Sequence, residues 1–218
     1  MKERDLKKLY FEWLLKNEAS HTVVVNEFIA NHWKRRADLL VVNGCIHLIE
    51  IKSKRDNLFR LEGQIDYFLG KGHKVTLVID KKHKDKILNI PRDVGIFLVS
   101  DGELIIDREP RTRRIRTNIL AEYWRLNELR MLFRGLIKGV YKMHIDKLQK
   151  LLYRYPEDIV SKLTCELLKA RYTKYYSVVR AHDNLEIKRV AKNGFEDPVK
   201  DYPYFFKKAQ KLLLPYGV

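Results

Sequence analysis

Cysteine is scarce. Cys45 and Cys165 are the only two in 218 residues, far apart and outside any Cys-x-x-Cys or Cys/His spacing, which argues against a disulfide framework or a zinc site. Glycine and proline are sparse as well, at 10 and 6, so a collagen-like or low-complexity chain is excluded. Long apolar runs are missing: none exceeds the four residues of 39–42 or 96–99, and no transmembrane helix is expected. The opening MKERDLKKLY has no apolar stretch after its charges, so no secretory leader is expected and the reading is a cytoplasmic chain with reduced thiols. What is present, 45% apolar and 33% charged residues, suits a folded chain of one or two domains.

Negative charge is also in deficit. Asp plus Glu number 28 against 44 Lys plus Arg, a balance of +16 that points to a polyanionic partner, nucleic acid before an anionic membrane surface. The excess is uneven: residues 1–107 hold 19 basic and 16 acidic side chains (+3), and residues 108–218 hold 25 and 12 (+13). Simple solubility is the blander account of so basic a chain.

Along the first half, Leu6, Leu9, Tyr10, Trp13 and Leu14 recur at helical spacing, which predicts an amphipathic helix over 4–17. Strands are expected at 22–28, 37–42 and 45–52, the last two joined by Asn43-Gly44, a hairpin signal because both residues tolerate positive φ. Asp56 and Asn57 are N-cap types ahead of a helix over 58–69, and strands at 74–79, 95–99 and 103–107 follow. Residues 108–116 (REPRTRRIR) contain five arginines and read as a basic connector. Helices are expected at 117–133, 136–152, 156–172 and about 204–214. The division is thus a domain over 1–107, a connector over 108–116 and a basic helical domain over 117–218.

One constellation has chemistry in it. Glu50 and Lys52, at i and i+2 of a strand, point to one face, and with a turn at 43–44 position 38 pairs near position 49, bringing Asp38 beside Glu50. Two carboxylates with the Ile51 carbonyl suit Mg²⁺ or Mn²⁺ and not Zn²⁺. Such an ion polarises a phosphodiester and lowers the pKa of a bound water, with Lys52 beside the attacking water and the scissile phosphate. The tripeptide Glu-x-Lys means nothing alone: it is expected about once in a chain this long, and a second copy, Glu186-Ile187-Lys188, lacks a preceding strand and a distant carboxylate. A plain cross-strand salt-bridge trio is the competing account. The first strand and much of the second are apolar on both faces, however, and unpaired carboxylates buried there are costly unless a cation satisfies them.

RADLLVV, the hairpin, EIKSKRDNLFRL and GQIDYF resemble the PD-(D/E)XK nuclease superfamily over roughly residues 1–107. Within it the chain is most similar to small bacterial and phage members with a helical C-terminal extension, which ILAEYWRLNELRMLF also resembles. The resemblance implies a restriction-endonuclease-like α/β fold, a mixed sheet flanked by helices, followed by a mostly α-helical C-terminal domain. It implies Asp38 and Glu50 as metal ligands and Lys52 as the catalytic lysine, with Ala37 in place of the motif's proline. Glu27 matches a glutamate such nucleases carry near the first helix and is a further metal candidate, a surface carboxylate being the alternative. Gln64 and Tyr67 match a glutamine with a downstream aromatic; Arg60 and Gln64, at i and i+4, share a helical face that meets phosphate or stiffens the site.

Lys54, Arg55, Arg60 and Tyr67, with Arg111, Arg113, Arg114 and Arg116 of the connector, are the candidate nucleic-acid contacts. Tyr172, Tyr175, Tyr176, Tyr204 and Phe205 serve either base stacking or the core, the core being favoured. The seven histidines show no ligand spacing. The expected function is a Mg²⁺- or Mn²⁺-dependent nuclease cutting phosphodiester bonds of DNA, with water as nucleophile. RNA stays open as substrate. The alternatives are a catalytically silent nuclease-like module that binds DNA or supports assembly, and a basic protein that docks on RNA or a partner protein.

Overall fold

Leu6, Tyr10, Phe11 and Leu14 are buried along one side of α1 (Glu3–Asn17), the expected first helix. The computed structural model describes residues 1–30, 33–181 and 202–217. The strands form where alternation and β-branched runs place them: β1 (Val23–Phe28), β2 (Ala37–Val42), β3 (Ile46–Lys52), β4 (Lys74–Asp80), β5 (Gly95–Ser100) and β6 (Glu103–Arg108). They make one mixed sheet in chain order, antiparallel through β1-β2-β3, parallel through β3-β4-β5 and antiparallel again at β5-β6. A parallel step needs a crossover, and α2 (Leu61–Leu69) supplies the one between β3 and β4.

The two faces are covered by different helices. Tyr10 and Trp13 of α1 meet the Phe97 ring at 5.6 and 5.1 Å, on the face that Phe97 shares through the register with Val78 and Ile51. Glu50 and Lys52 therefore point to the other face, where Gln64 of α2 reaches Glu50.

The hairpin departs from expectation by one residue. Its register runs Val42↔Ile46 to Leu39↔Ile49, so three residues, Asn43, Gly44 and Cys45, make the loop, with Gly44 at φ 70°. Continued one step, this register sets Asp38 across from Glu50 and not from Ile49. A slip of one residue would have sent Asp38 to the opposite face.

Asp56 and Asn57 do not cap α2, which begins later. The Asp56 carboxylate accepts from Ser53 N–H (2.6 Å) and the Asn57 side-chain oxygen from Phe59 N–H (2.8 Å), so both build the turn before the helix. Residues 108–114 do not run free. Arg108 ends β6, Arg111 N–H donates to the Asp93 carbonyl at 3.0 Å, and Arg113 N–H donates to the His73 carbonyl at 2.8 Å. Pro110 lies over Gly95, where an added Cβ would meet its Cδ at 2.7 Å.

The chain divides into two units: Met1–Ile29 with Arg35–Arg114, and Ala30–Lys34 with Ile115–Val218. The second is helical: α3 (Thr117–Ala121), α4 (Leu126–Phe133), α5 (Ile145–Leu152), α6 (Glu157–Ala181) and α7 (Pro203–Leu213). The helix expected over 117–133 is broken at 122–125. Neighbouring Tyr123 and Trp124 are both buried, and Arg125 opens α4 with its N–H on the Glu128 carboxylate at 2.8 Å. The helix expected from 136 starts only at Ile145, after Gly135 and Gly139 take positive φ. Arg171 supplies the unit's buried charge: its guanidinium binds both Glu128 oxygens (2.8 and 2.6 Å) and the Tyr123 carbonyl (2.8 Å), and Tyr202 O–H donates to Glu128 at 2.7 Å. Tyr175, Tyr176 and Phe205 are core residues, as favoured, whereas Tyr204 is exposed. Glu186-Ile187-Lys188, His32 and His182 lie outside the described residues.

Candidate active site

Past Leu39↔Ile49 the β2–β3 ladder gives way to a side chain: the Asp38 carboxylate accepts the Ile51 N–H at 2.7 Å. The N–H and C=O of one strand residue face the same neighbour, so the Ile51 carbonyl is also turned toward β2, on Asp38's side. Glu50 is almost wholly buried, at 2% exposure. Its Oε1 accepts from Lys52 Nζ at 2.6 Å and from Gln64 Nε2 at 2.5 Å, while its Oε2 is buried with no hydrogen-bond partner. An ionised oxygen in that condition is costly, and a cation is what most directly satisfies it.

Electrostatics tell the same story. Burial, then the charge of Glu50, pushes the Asp38 carboxyl up to about 7, against the pull of Lys7 and of the Ile51 N–H. Burial also raises Glu50, which Lys52 and Gln64 hold back. Without an added positive charge the pair is reluctant to ionise fully at neutral pH.

A second set of acids adjoins the first. Carboxylate oxygens of Glu3, Glu27 and Asp38 all lie within 4.8 Å of one another. Glu27 is not a free surface carboxylate: Lys7 Nζ reaches it at 2.7 Å and Arg36 at 2.5 Å. It adopts φ 55°, a left-handed conformation that costs a non-glycine residue energy, at the step of the β1–β2 register between Asn26↔Leu39 and Phe28↔Ala37. Burial works against the Lys7 ammonium, but Glu27, Asp38 and Glu3 together raise its pKa. Sequence reading missed Glu3 and Lys7. Their only signal was a Glu/Lys pair at i, i+4 beside the apolar stripe of α1, and such pairs are common.

Of the expected site residues, the structure brings together Asp38, Glu50, Ile51, Lys52 and Gln64, and it sets Glu27 beside Asp38. Lys54, Arg55 and Arg60 are exposed in the turn leading to α2. Tyr67 is half-buried, edge-on to Phe68 with Lys71 Nζ 5.6 Å from its ring centre. Arg111 and Arg113 are exposed near Asp93, at 3.9 and 3.6 Å. Arg114 belongs to the sheet unit and Arg116, ahead of α3, to the helical one. His47, His73 and His83 are buried packing residues; burial lowers His47 to about 3, so it stays neutral against Thr76 Oγ1 (2.8 Å).

The family model of bacteriophage P4 protein cII matches residues 1–192. The chain belongs to that family. Protein cII of Enterobacteria phage P4 is 29% identical over 197 residues, covering 86% of this chain and 75% of its own. A protein of unknown function from Silicibacter pomeroyi is similar over 56% of this chain and 84% of its own, at 19% identity and a TM-score of 0.44, too distant to carry an argument. Among the described residues no helix of this cII-family protein is long and apolar enough to cross a membrane.

Proposed function

We propose that this cII-family protein is a metal-dependent nuclease with a restriction-endonuclease-like core, acting on phosphodiester bonds of DNA. The observation that carries the reading is the buried, unpartnered Oε2 of Glu50, whose charge is felt by the neighbouring Asp38 carboxyl. Asp38, Glu50 and the Ile51 carbonyl are the residues that would hold Mg²⁺ or Mn²⁺, all hard oxygen donors, with Glu3 and Glu27 beside Asp38. The ion would supply Lewis acidity toward the phosphate and a more acidic bound water. Lys52 provides a fixed positive charge at the phosphate and, through Glu50 Oε1, keeps that carboxylate oriented. Gln64 holds the same oxygen from α2, fixing the Glu50 rotamer. Arg60 and the exposed Lys54 and Arg55 contribute sequence-independent grip on the backbone.

A second reading has its own support. Lys52 and Gln64 satisfy one Glu50 oxygen without any ion, and most of the net charge, +13, lies in residues 108–218, as suits a silent core beside a DNA-binding module. One assay separates the two. Linear and circular DNA are incubated with Mg²⁺, Mn²⁺ or EDTA, with wild-type protein and with Glu50→Gln and Lys52→Ala. Cleavage that needs the metal and is lost in both variants is expected. Cutting indifferent to EDTA and to both substitutions overturns the mechanism, and salt-sensitive DNA retention without cutting selects the silent module.

A further inference from the structure

The turn between the lysine strand and α2 carries Phe59 at 91% exposure, the most exposed large apolar side chain among the described residues. An aromatic ring left in water forgoes about 2 kcal/mol of burial, so its position calls for a partner. The backbone presenting it is ordered: Ser53 N–H donates to Asp56, Asp56 N–H to the Ser53 carbonyl (3.1 Å), Phe59 N–H to Asn57, and Leu61 N–H to the Leu58 carbonyl (2.9 Å). Lys54, Arg55 and Arg60 flank the ring in sequence, all exposed.

Lys54, the residue of this turn nearest β3, also lines a cleft of about 660 Å³ together with Asp80, Lys81, Lys82, Ser100 and Asp101 among others. It opens at the C-terminal ends of parallel β3, β4 and β5, the end of the sheet that also carries Lys52. Its two basic walls are tied together, because the Ser53 carbonyl accepts from His83 Nε2 (3.1 Å) in the 3-10 helix Lys81–Lys86. The two acids are engaged locally: Asp80 accepts the Lys82 N–H (3.2 Å) and Asp101 the Ser100 hydroxyl (2.8 Å).

We infer that this turn and cleft form a tract for single-stranded nucleic acid, in which Phe59 stacks on an unpaired base and Lys54, Lys81 and Lys82 bind the phosphates that follow. The inference rests on the nuclease reading of the neighbouring carboxylates and names its substrate: a single strand, a frayed end or a flap, not continuous duplex. Lys54, Lys81 and Lys82 outnumber Asp80 and Asp101 in the cleft, and exposed Arg55 and Arg60 of the turn add to a positive excess that suits a polyanion. The bare ring selects unpaired bases, since bases inside a duplex are already stacked on their neighbours.

The test is fluorescence anisotropy in EDTA with labelled dT20 and with a blunt 20-base-pair duplex, over a series of NaCl concentrations. Phe59→Ala is expected to weaken dT20 binding about tenfold and leave duplex binding within about twofold, and Phe59→Trp to restore it. Lys81→Ala/Lys82→Ala is expected to flatten the dT20 salt slope by about 1.4. Unchanged dT20 binding by Phe59→Ala, or an equal loss on both probes, overturns the tract. Cleavage keeps the two claims apart. A wild-type protein that cuts while Phe59→Ala binds normally removes the tract alone; one that never cuts while Phe59→Ala selectively loses dT20 removes the nuclease reading and leaves the tract.

Discussion

Asp38 accepts the Ile51 N–H just past the Leu39↔Ile49 end of the β2–β3 ladder, and the charge of neighbouring Glu50 works against ionisation of Asp38. With the Asp38 carboxyl raised to about 7, against about 3.9 for an unfolded chain, the folded protein binds more protons than the unfolded one between those values. Stability of the metal-free protein therefore falls as pH rises from about 4 through about 7. Asp38→Asn, which keeps an acceptor for the Ile51 N–H, is expected to remove that fall and raise the melting temperature at pH 7.5 by about 2–4 °C. Thermal melts across pH in EDTA check it; parallel wild-type and variant curves would refute it.

Metal should have the opposite effect on the wild type. Mn²⁺ at a hundredfold excess over its dissociation constant is expected to stabilise the fold by about 2.7 kcal/mol at pH 7.5. Glu50→Gln, whose amide oxygen still accepts from Lys52 and Gln64, should lose most of that gain while folding normally. The same melts with Mn²⁺ or EDTA read it out, and an undiminished Mn²⁺ effect in the variant would place the ion elsewhere.

Lys52 is the charge that holds the Glu50 pKa down against the upward push of its burial. Lys52→Ala leaves a buried carboxyl with Gln64 as its partner, so the Glu50 pKa climbs further above its unfolded value. The penalty is absent while the group stays protonated and grows as pH rises. Lys52→Ala should therefore cost little stability at pH 5 and more at pH 8, and lower cleavage about 10²-fold or more at fixed DNA affinity. A pH-independent penalty would show that Lys52 acts by packing alone.

Much of this was legible beforehand. Alternating Val, Leu and Ile runs identify β2 through β5 because a central sheet is buried on both faces, and the stripe of α1 needs only helical period. The pairing of Glu50 with Lys52 follows from strand alternation alone. Long-range partners were not legible: Gln64 and Glu50 meet only because α2 crosses that face, and Lys7 finds Glu27 and Asn26 only once α1 packs. The break at 122–125 was hidden because its cue is Glu128 reaching back to Arg125, with no glycine or proline to mark it.

In the helical unit, Arg171 and Glu128 form a buried pair at 2.6 Å, completed by Tyr202 and the Tyr123 carbonyl. Removing one partner strands a buried charge. Glu128→Ala is expected to destabilise this unit by about 3–5 kcal/mol, and Tyr202→Phe, which deletes one hydrogen bond, by about 1–2 kcal/mol. Urea denaturation followed by circular dichroism checks both; equal, small effects would mean the network contributes little.

The hairpin loop offers the most direct test of how the site is built. Asn43, Gly44 and Cys45 make a three-residue loop between Val42 and Ile46, the pair from which the β2–β3 register runs. Deleting Cys45 leaves Asn43-Gly44, itself a favourable two-residue turn, so a hairpin can still close. Closing it keeps Val42 opposite Ile46 and Leu39 opposite Ile49, so Asp38 and Glu50 stay one step beyond the same pair. The deletion variant is expected to retain helix and strand content by circular dichroism and, with the register unchanged, both the Mn²⁺ stabilisation and metal-dependent cleavage. Cysteine chemistry is excluded by Cys45→Ser, which should keep both. A deletion variant that folds yet gains no stability from Mn²⁺ would show that the Val42–Ile46 pairing is not what holds the two carboxylates together.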